Sequence, residues 1–234
     1  MPSKKLELSP GVSIIIAGVI IAGAIVFTNM HPSTSAADLA GIGATGGVAP
    51  TATALHIRPP STSDHIVGSP DAPIVLVEYS DFQCPYCSMV YPTIKKIVSD
   101  SNGGVAWVYR QLPLTSIHPQ AAPAALASEC ITEQLGNTGF WKYADAVFAN
   151  QASLSPEYSA TLAQHFGADP AKYASCITSQ KYQAKIDADS NEAAQNGGNG
   201  TPFTVVVNTK THKMLSLSGA LPEAAFLSAI NSIK

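Results

Sequence analysis

The chain has 234 residues, of which 46% are hydrophobic and only 12% charged, with a formal net charge of -3 and four cysteines. The lack of a basic excess argues against nucleic-acid binding, and the apolar content is too high for a disordered chain. Four cysteines are too few for a small disulfide-dense protein, so the length indicates one sizeable domain with appended segments.

Part of the apolar excess lies in residues 11–30 (GVSIIIAGVIIAGAIVFTNM), a run without charge that is long enough to span a bilayer as a helix. Lys4 and Lys5 precede it, and the next basic residue is Arg58. The positive-inside rule therefore predicts that residues 1–10 are cytoplasmic and that the rest of the chain is outside. The alternative is a signal peptide cleaved near residues 35–37, which would secrete the domain. Both interpretations export it.

Residues 31–62 are dominated by Ala, Gly, Ser, Thr and Pro and show no helical or strand periodicity. This composition predicts a flexible linker between the membrane span and a folded domain at residues 63–234.

The folded domain begins with a predicted βαβ unit. Residues 74–79 (IVLVEY) are typical of a strand buried on both faces. From Cys84 onward, apolar residues that include Met89 recur at helical spacing, and the Gly-rich residues 102–104 end that helix. Residues 105–109 (VAWVY) form the second strand, which we expect to be parallel to the first.

A helical insert at about residues 116–197 follows, with two alanine-rich segments and helix starts at Ser155-Pro156 and Asp169-Pro170. The glycine-rich residues 196–200 end the insert. Two strands that form a hairpin and a closing helix complete the domain; they are expected at residues 203–207, 214–217 and from 221 onward. The predicted order is βαβ, helical insert, ββα.

Cys84-Pro85-Tyr86-Cys87 lies at the junction of the first strand and its helix. The helix N-terminus favours an anion, so the pKa of the Cys84 thiol should fall and its thiolate should be available near neutral pH. Cys87 is close enough to close a disulfide and would resolve a mixed disulfide on Cys84. A zinc site would need two further ligands at compatible spacing, and a purely structural four-residue ring would stabilise little, so we expect neither.

Ser80-Asp81-Phe82-Gln83 before the cysteine motif, together with Gly200-Thr201-Pro202 before a later strand, resembles the DsbA-like branch of the thioredoxin superfamily. The resemblance covers residue 64 to the end. The cysteine motif alone would fit glutaredoxins equally well, but an exported domain with a helical insert fits them poorly. The resemblance implies an α/β, thioredoxin-like fold with a helical insertion.

The resemblance also implies roles for particular residues. Pro202 matches a cis-proline that faces the active-site disulfide, and the backbone of Thr201 would pair with an extended client segment. Glu78 matches a buried acid that exchanges a proton with Cys87. The alternative for Glu78 is an edge carboxylate exposed to solvent.

Four side chains around the motif, and a second cysteine pair, complete the expected site. Phe82, Pro85, Tyr86 and Phe203 are expected to form an apolar surface for clients. Cys130 and Cys176 fall in the insert, where some relatives of this family carry a second, non-catalytic disulfide. We expect them to bond, the alternative being two buried inert thiols.

Four further residues are assigned structural roles. His118 precedes a proline at a predicted helix start, so helix capping is favoured over catalysis. Trp107 and Phe140, like the neighbouring Trp141, are expected in the core.

The expected protein is a membrane-anchored thiol:disulfide oxidoreductase that introduces disulfides into exported client proteins with free thiols. It would work as a monomer with no cofactor except the Cys84–Cys87 disulfide and with no metal. The resemblance implies that a quinone-linked membrane oxidase recharges it. A reductase or isomerase of the same fold, and a redox-silent binding module or chaperone, are the alternatives.

Overall fold

The structure, a computed structural model, describes residues 55–234. The predicted cytoplasmic N-terminus (residues 1–10), the predicted membrane span (11–30) and residues 31–54 of the predicted linker lie outside the described residues. Within the described part of the chain, no helix combines the length and apolar character needed to cross a membrane.

A five-stranded mixed sheet forms the centre of the domain. Its strands are β1 (His65–Val67), β2 (Ile74–Ser80), β3 (Val105–Gln111), β4 (Phe203–Asn208) and β5 (Met214–Ser218). They are ordered β1-β3-β2-β4-β5, with β2 and β3 parallel and the other pairs antiparallel. The predicted βαβ unit and the C-terminal hairpin are therefore present. Strand β1, which is too short to produce an alternating pattern, was not predicted.

Within residues 55–234, six helices surround the sheet. They are α1 (Pro85–Asp100), α2 (Ala121–Ala149), α3 (Pro156–His165), α4 (Pro170–Thr178), α5 (Gln183–Gln195) and α6 (Glu223–Ile233), with a short 3-10 turn at Gln151–Ser153. The predicted starts of α3 and α4 are confirmed, because Ser155 accepts a hydrogen bond from the Tyr158 N–H and Asp169 accepts one from the Lys172 N–H. The insert is thus formed by α2 to α5.

Helix α2 is broken at Gly136, as the two separate alanine-rich segments of the sequence suggest. The Gly136 backbone has φ 65° and ψ -166°, a conformation that is essentially restricted to glycine. The break divides the helix into two segments of different direction.

The two faces of the sheet carry two separate cores. Because side chains alternate along a strand, Ile74 and Leu76 of β2 pack with α1, α2 and α6, whereas Val75 and Val77 face α5. Glu78 continues the first series and thus lies on the face of α1.

The last residues of the predicted linker, 55–58, pack against the domain instead of continuing as free chain. Ile57 is buried in the core on the α5 side of the sheet. The backbone N–H and C=O of His56 both bond to the side chain of Asn196, at 2.6 and 2.9 Å. The ordered domain therefore begins before residue 63.

Candidate active site

The cysteine motif occupies the turn from β2 into α1, at the edge where the parallel strands end. Cys84 is the N-cap residue of α1 and Pro85 starts the helix, where its missing N–H costs nothing. Both Cys84 and Cys87 are free thiols and both are buried. The helix N-terminus thus surrounds the first thiol with backbone N–H groups.

Several hydrogen bonds to the sulfur lower the pKa of Cys84 to about 5. The largest contribution is the hydrogen bond from the Cys87 thiol, followed by Thr201 and the backbone N–H groups of Cys87 and Tyr86, while burial opposes them. Among residues 55–234 the Thr201 hydroxyl is one of the buried polar groups without a hydrogen-bond partner, so it is free to donate to the thiolate. Cys84 is therefore a thiolate at neutral pH.

The surroundings of Cys87 and Glu78 raise their pKa values, in contrast to the lowered pKa of Cys84. Burial, the hydrogen bond to Cys84 and the charge of Glu78 raise the pKa of Cys87 well above its ordinary value. Burial also raises the pKa of Glu78 to about 7, and the charge of Cys84 adds to the rise. Glu78 is 1% exposed in the central strand β2, so the alternative of a solvent-exposed edge carboxylate is wrong. Cys84 is thus stabilised as a thiolate, whereas Cys87 keeps its proton beside the acidic side chain of Glu78.

The loop before β4 brings Pro202 next to the motif. The Thr201–Pro202 peptide bond is cis, and the Thr201 carbonyl oxygen lies 3.5 Å from the Cys84 sulfur. The two sequence motifs, 117 residues apart, therefore meet at one sulfur atom.

Two of the residues expected on the client surface are not on any surface. Phe82 is 1% exposed and packs against Tyr109 and Tyr143, with ring centroids 5.1 and 5.3 Å away. Phe203 is 2% exposed and faces Tyr79 from β4. Both rings belong to the core, because α2 covers the sheet on the side of Phe82 and α5 covers it on the side of Phe203.

Only some of the exposed apolar side chains near the motif are those expected on the client surface. Pro85 is exposed and Tyr86 is 59% exposed, as a client-contacting role requires. Met89, which was expected on the buried stripe of α1, is instead 65% exposed. Ile117, in the loop after β3, is 67% exposed. Sequence reasoning missed these last two, although the spacing of the buried residues of α1 places Met89 on the outer face.

The sequence did not indicate the contact between two polar residues, Asp81 and His118, that hold the motif. The buried Asp81 accepts a hydrogen bond from His118 Nδ1 at 2.8 Å. His118 therefore binds a side chain of the active-site turn rather than capping α2, whose N-cap is Gln120. Gln151 donates to the carbonyl oxygens of Phe82 and Cys84, both at 2.9 Å, and no short-range pattern indicates this contact.

The remaining cysteines lie in the insert. Cys130 of α2 and Cys176 of α4 form a disulfide across a sequence separation of 46, as the resemblance implies. Trp107 and Phe140 are fully buried in the core. Within residues 55–234, no group of three or more His, Cys, Asp or Glu side chains is arranged to hold a metal ion.

Curated relatives of the chain are much longer proteins. The chain is 34% identical over 149 residues to the Na(+)/H(+) antiporter NhaA 3 of Salinispora tropica, which covers 64% of this chain and 22% of the antiporter. The Na(+)/H(+) antiporter NhaA 1 of Mycolicibacterium gilvum is 34% identical over 152 residues, covering 64% and 24%. The chain thus spans less than a quarter of the length of these relatives, so their names do not describe it.

A family model described as Thioredoxin matches residues 61–229. DsbA2 of Pseudomonas aeruginosa superposes with a TM-score of 0.64 at 28% identity, over 76% of this chain and 97% of that one. Oxidised BdbD of Bacillus subtilis shares the fold, with a TM-score of 0.61 at 21% identity over 74% and 94%. The chain therefore belongs to the thioredoxin family and has a DsbA-like fold.

Proposed function

We propose that the chain is an extracytoplasmic disulfide oxidase that transfers its Cys84–Cys87 disulfide to exported proteins with free thiols. The observation that carries the proposal is the asymmetry of the two thiols: hydrogen bonds, chiefly from Cys87, lower the pKa of Cys84 to about 5, and burial raises that of Cys87. A low thiol pKa stabilises the reduced form, which makes the disulfide a strong oxidant.

The reaction needs only thiols and one buried acid. A client thiolate attacks the Cys84 sulfur of the disulfide, the Cys84–Cys87 bond breaks, and the electron pair leaves on Cys87. Because the pKa of Cys87 is raised by burial, its thiolate takes a proton, which Glu78 can supply with a pKa of about 7. A second client thiolate then attacks the client sulfur of the mixed disulfide and expels Cys84 as a stable thiolate. The client loses two electrons and the domain gains them.

Clients would bind around the exposed start of α1. Pro85 and Tyr86 supply apolar surface beside Cys84, and the exposed Met89 extends it. The backbone of Thr201, at 3.5 Å from the Cys84 sulfur, would pair with an extended client segment. Phe82 and Phe203 have no part in this binding because both are buried.

Turnover requires that an oxidant removes the two electrons, and we propose a quinone-linked membrane oxidase as that partner. Residues 11–30 would anchor the chain in the same membrane, with the catalytic domain outside the cytoplasm. The domain would act as a monomer. Fractionation tests the anchor: the full chain should stay with membranes after alkaline carbonate extraction, and a chain that lacks residues 11–30 should not. Recovery of the full chain in the soluble fraction would contradict anchoring.

The equilibrium of the Cys84–Cys87 pair with glutathione tests the direction of transfer. A potential near the roughly -120 mV of DsbA supports the oxidase, whereas a potential near the roughly -270 mV of thioredoxin would indicate a reductase and reject the proposal. The variant Cys84→Ser distinguishes an oxidase or a reductase from a redox-silent binding module, because only the binding module would keep its activity in this variant.

A further inference from the structure

The turn before the active-site helix contains a buried carboxylate that the transfer mechanism does not use. Asp81 Oδ1 accepts a hydrogen bond from the Gln83 N–H at 2.7 Å. Its Oδ2 accepts from the Leu114 N–H at 2.9 Å and from His118 Nδ1 at 2.8 Å. The carboxylate thus joins its own turn to the loop that follows β3.

The backbone of the same residue contacts both halves of the dithiol. The Asp81 N–H donates to the Cys87 sulfur at 3.5 Å, and the Asp81 carbonyl oxygen accepts from the Cys84 N–H at 3.1 Å. That N–H belongs to the Ser80–Asp81 peptide, whose carbonyl oxygen accepts from the Leu112 N–H at 2.8 Å. On the other side of the Asp81 Cα, the side-chain bond from the Gln83 N–H to Asp81 is an Asx turn, so the residue is held from both sides with its N–H on the buried sulfur.

We propose that Asp81 is a positioning residue that sets the redox equilibrium of the dithiol, a role that rests on the proposed function of Cys84 and Cys87. Its Asx turn, together with the Leu112 bond, keeps the Asp81 N–H on the Cys87 sulfur. In the reduced form the Cys87 thiol donates to the Cys84 thiolate, which polarises the Cys87 sulfur and makes it a better acceptor than a sulfur in a disulfide. The fixed N–H therefore stabilises the reduced form more than the oxidised form.

Two substitutions separate this geometry from the loss of charge. Asp81→Asn and Asp81→Ala both remove the negative charge, but only the asparagine keeps an oxygen that can accept from the Gln83 N–H. The comparison of the two variants thus cancels the loss of negative charge and measures the anchoring of the side chain, since alanine loses the bonds to Gln83, Leu114 and His118 together. The measurement is the equilibrium constant of each variant with glutathione, followed by thiol trapping.

We expect the reduced form of Asp81→Ala to be disfavoured by about three- to tenfold relative to Asp81→Asn, the effect of one ordinary hydrogen bond. Equal constants, with stability lowered alike in the oxidised and reduced forms, would overturn the proposal and leave Asp81 a structural residue. This ratio does not depend on the absolute potential, so it can fail while the oxidase assignment stands, or hold if the protein is a reductase.

If Asp81→Ala does not fold, hydrogen exchange of the unaltered protein gives the same decision. The Asp81 amide should exchange more slowly in the reduced protein than in the oxidised protein, relative to its neighbours in β2. Equal protection in the two forms would overturn the proposal.

Discussion

At the level of single residues, the site depends on a difference between two cysteines that share one turn of helix. Cys84 sits at the N-cap, where N–H groups point at its sulfur, and Cys87 faces the core beside Glu78. The same hydrogen bond between the two sulfurs lowers the pKa of one and raises the pKa of the other. A change at Cys87 should therefore be detected at Cys84.

We expect Cys87→Ala to raise the pKa of Cys84 by about one to two units, since a hydrogen bond to a charged group contributes roughly 1.5–3 kcal/mol. Cys87→Ser should raise it less, because the hydroxyl still donates. The thiolate absorbance of the reduced protein, followed against pH, gives the midpoint, which should lie near 5 before substitution. An unchanged midpoint in the alanine variant would show that the helix N-terminus alone stabilises the thiolate.

Glu78 should make stability depend on pH. Burial raises its pKa from 4.5 to about 7, so between these values the native state holds a proton that the unfolded state has lost. The free energy of unfolding therefore falls as the pH rises through this window, by roughly 3 kcal/mol in total. Glu78→Gln should remove that fall and be the more stable form above pH 7.

Urea unfolding of the oxidised protein is the appropriate measurement, because neither active-site thiol titrates in it. Burial, the largest cause of the Glu78 shift, persists in this form. Parallel pH profiles for Glu78→Gln and the unaltered protein would mean that Glu78 ionises normally, and would remove it as a proton donor to Cys87.

At the level of elements, local patterns were sufficient for the helices and for four of the five strands, but not for which of their residues are exposed. The buried stripe of α1 is set by Cys87, Val90, Tyr91 and Ile94, at the spacing i, i+3, i+4, i+7. Met89 falls outside this stripe and faces solvent. The burial of Phe82 follows from helix α2, which only the tertiary structure brings over the end of the sheet.

Contacts between distant segments were the least predictable from one sequence. His118 and Asp81 are 37 residues apart and neither has a periodicity that points to the other. The meeting of Pro202 with Cys84 was anticipated only because the resemblance relates two separate motifs. Short-range chemistry thus indicates what the cysteines do, whereas the residues that hold them are found in the folded structure.

The disulfide between α2 and α4 should stabilise the insert without affecting the site. It closes a loop with a sequence separation of 46 residues, for which the chain-entropy argument gives about 4 kcal/mol. The Cys130→Ala, Cys176→Ala double variant should lose about that much in urea unfolding while its Cys84–Cys87 equilibrium with glutathione stays the same. A variant that is as stable as its parent, or one with a shifted equilibrium, would contradict this separation of roles.

At the level of the whole molecule, a buried charge cluster on the α5 face of the sheet joins the segment before β1 to the central strands and to α5. Arg110 of β3 is 1% exposed and bonds to Asp64 at 3.0 and 3.1 Å and to Glu192 at 2.6 Å. Glu192 also accepts from the Tyr79 hydroxyl at 2.6 Å. Arg58 completes the cluster from the segment before β1, with bonds to Glu192 and Asp189.

This cluster holds the segment before the first strand against the rest of the domain. The carbonyl oxygen of Arg58 accepts from Arg110 Nη2 at 3.1 Å, so its backbone and its side chain are both held. Ile57 adds apolar burial beside it. The segment thus closes the α5 side of the sheet, opposite the face that carries Glu78.

Loss of Arg58 should therefore weaken the whole domain rather than the site. Arg58→Ala leaves the buried carboxylate of Asp189 without its guanidinium, and we expect a loss of about 1–3 kcal/mol, near the lower end because the Arg58 side chain is half exposed. Arg58→Lys keeps the charge but not the forked geometry, so its free energy of unfolding should lie between those of Arg58→Ala and the unaltered protein. Lys213→Ala, in the exposed turn between β4 and β5, controls for the loss of one positive charge and should be neutral. Urea unfolding gives the free energies, and an Arg58→Ala variant as stable as Lys213→Ala would mean that the segment rests on the domain without stabilising it.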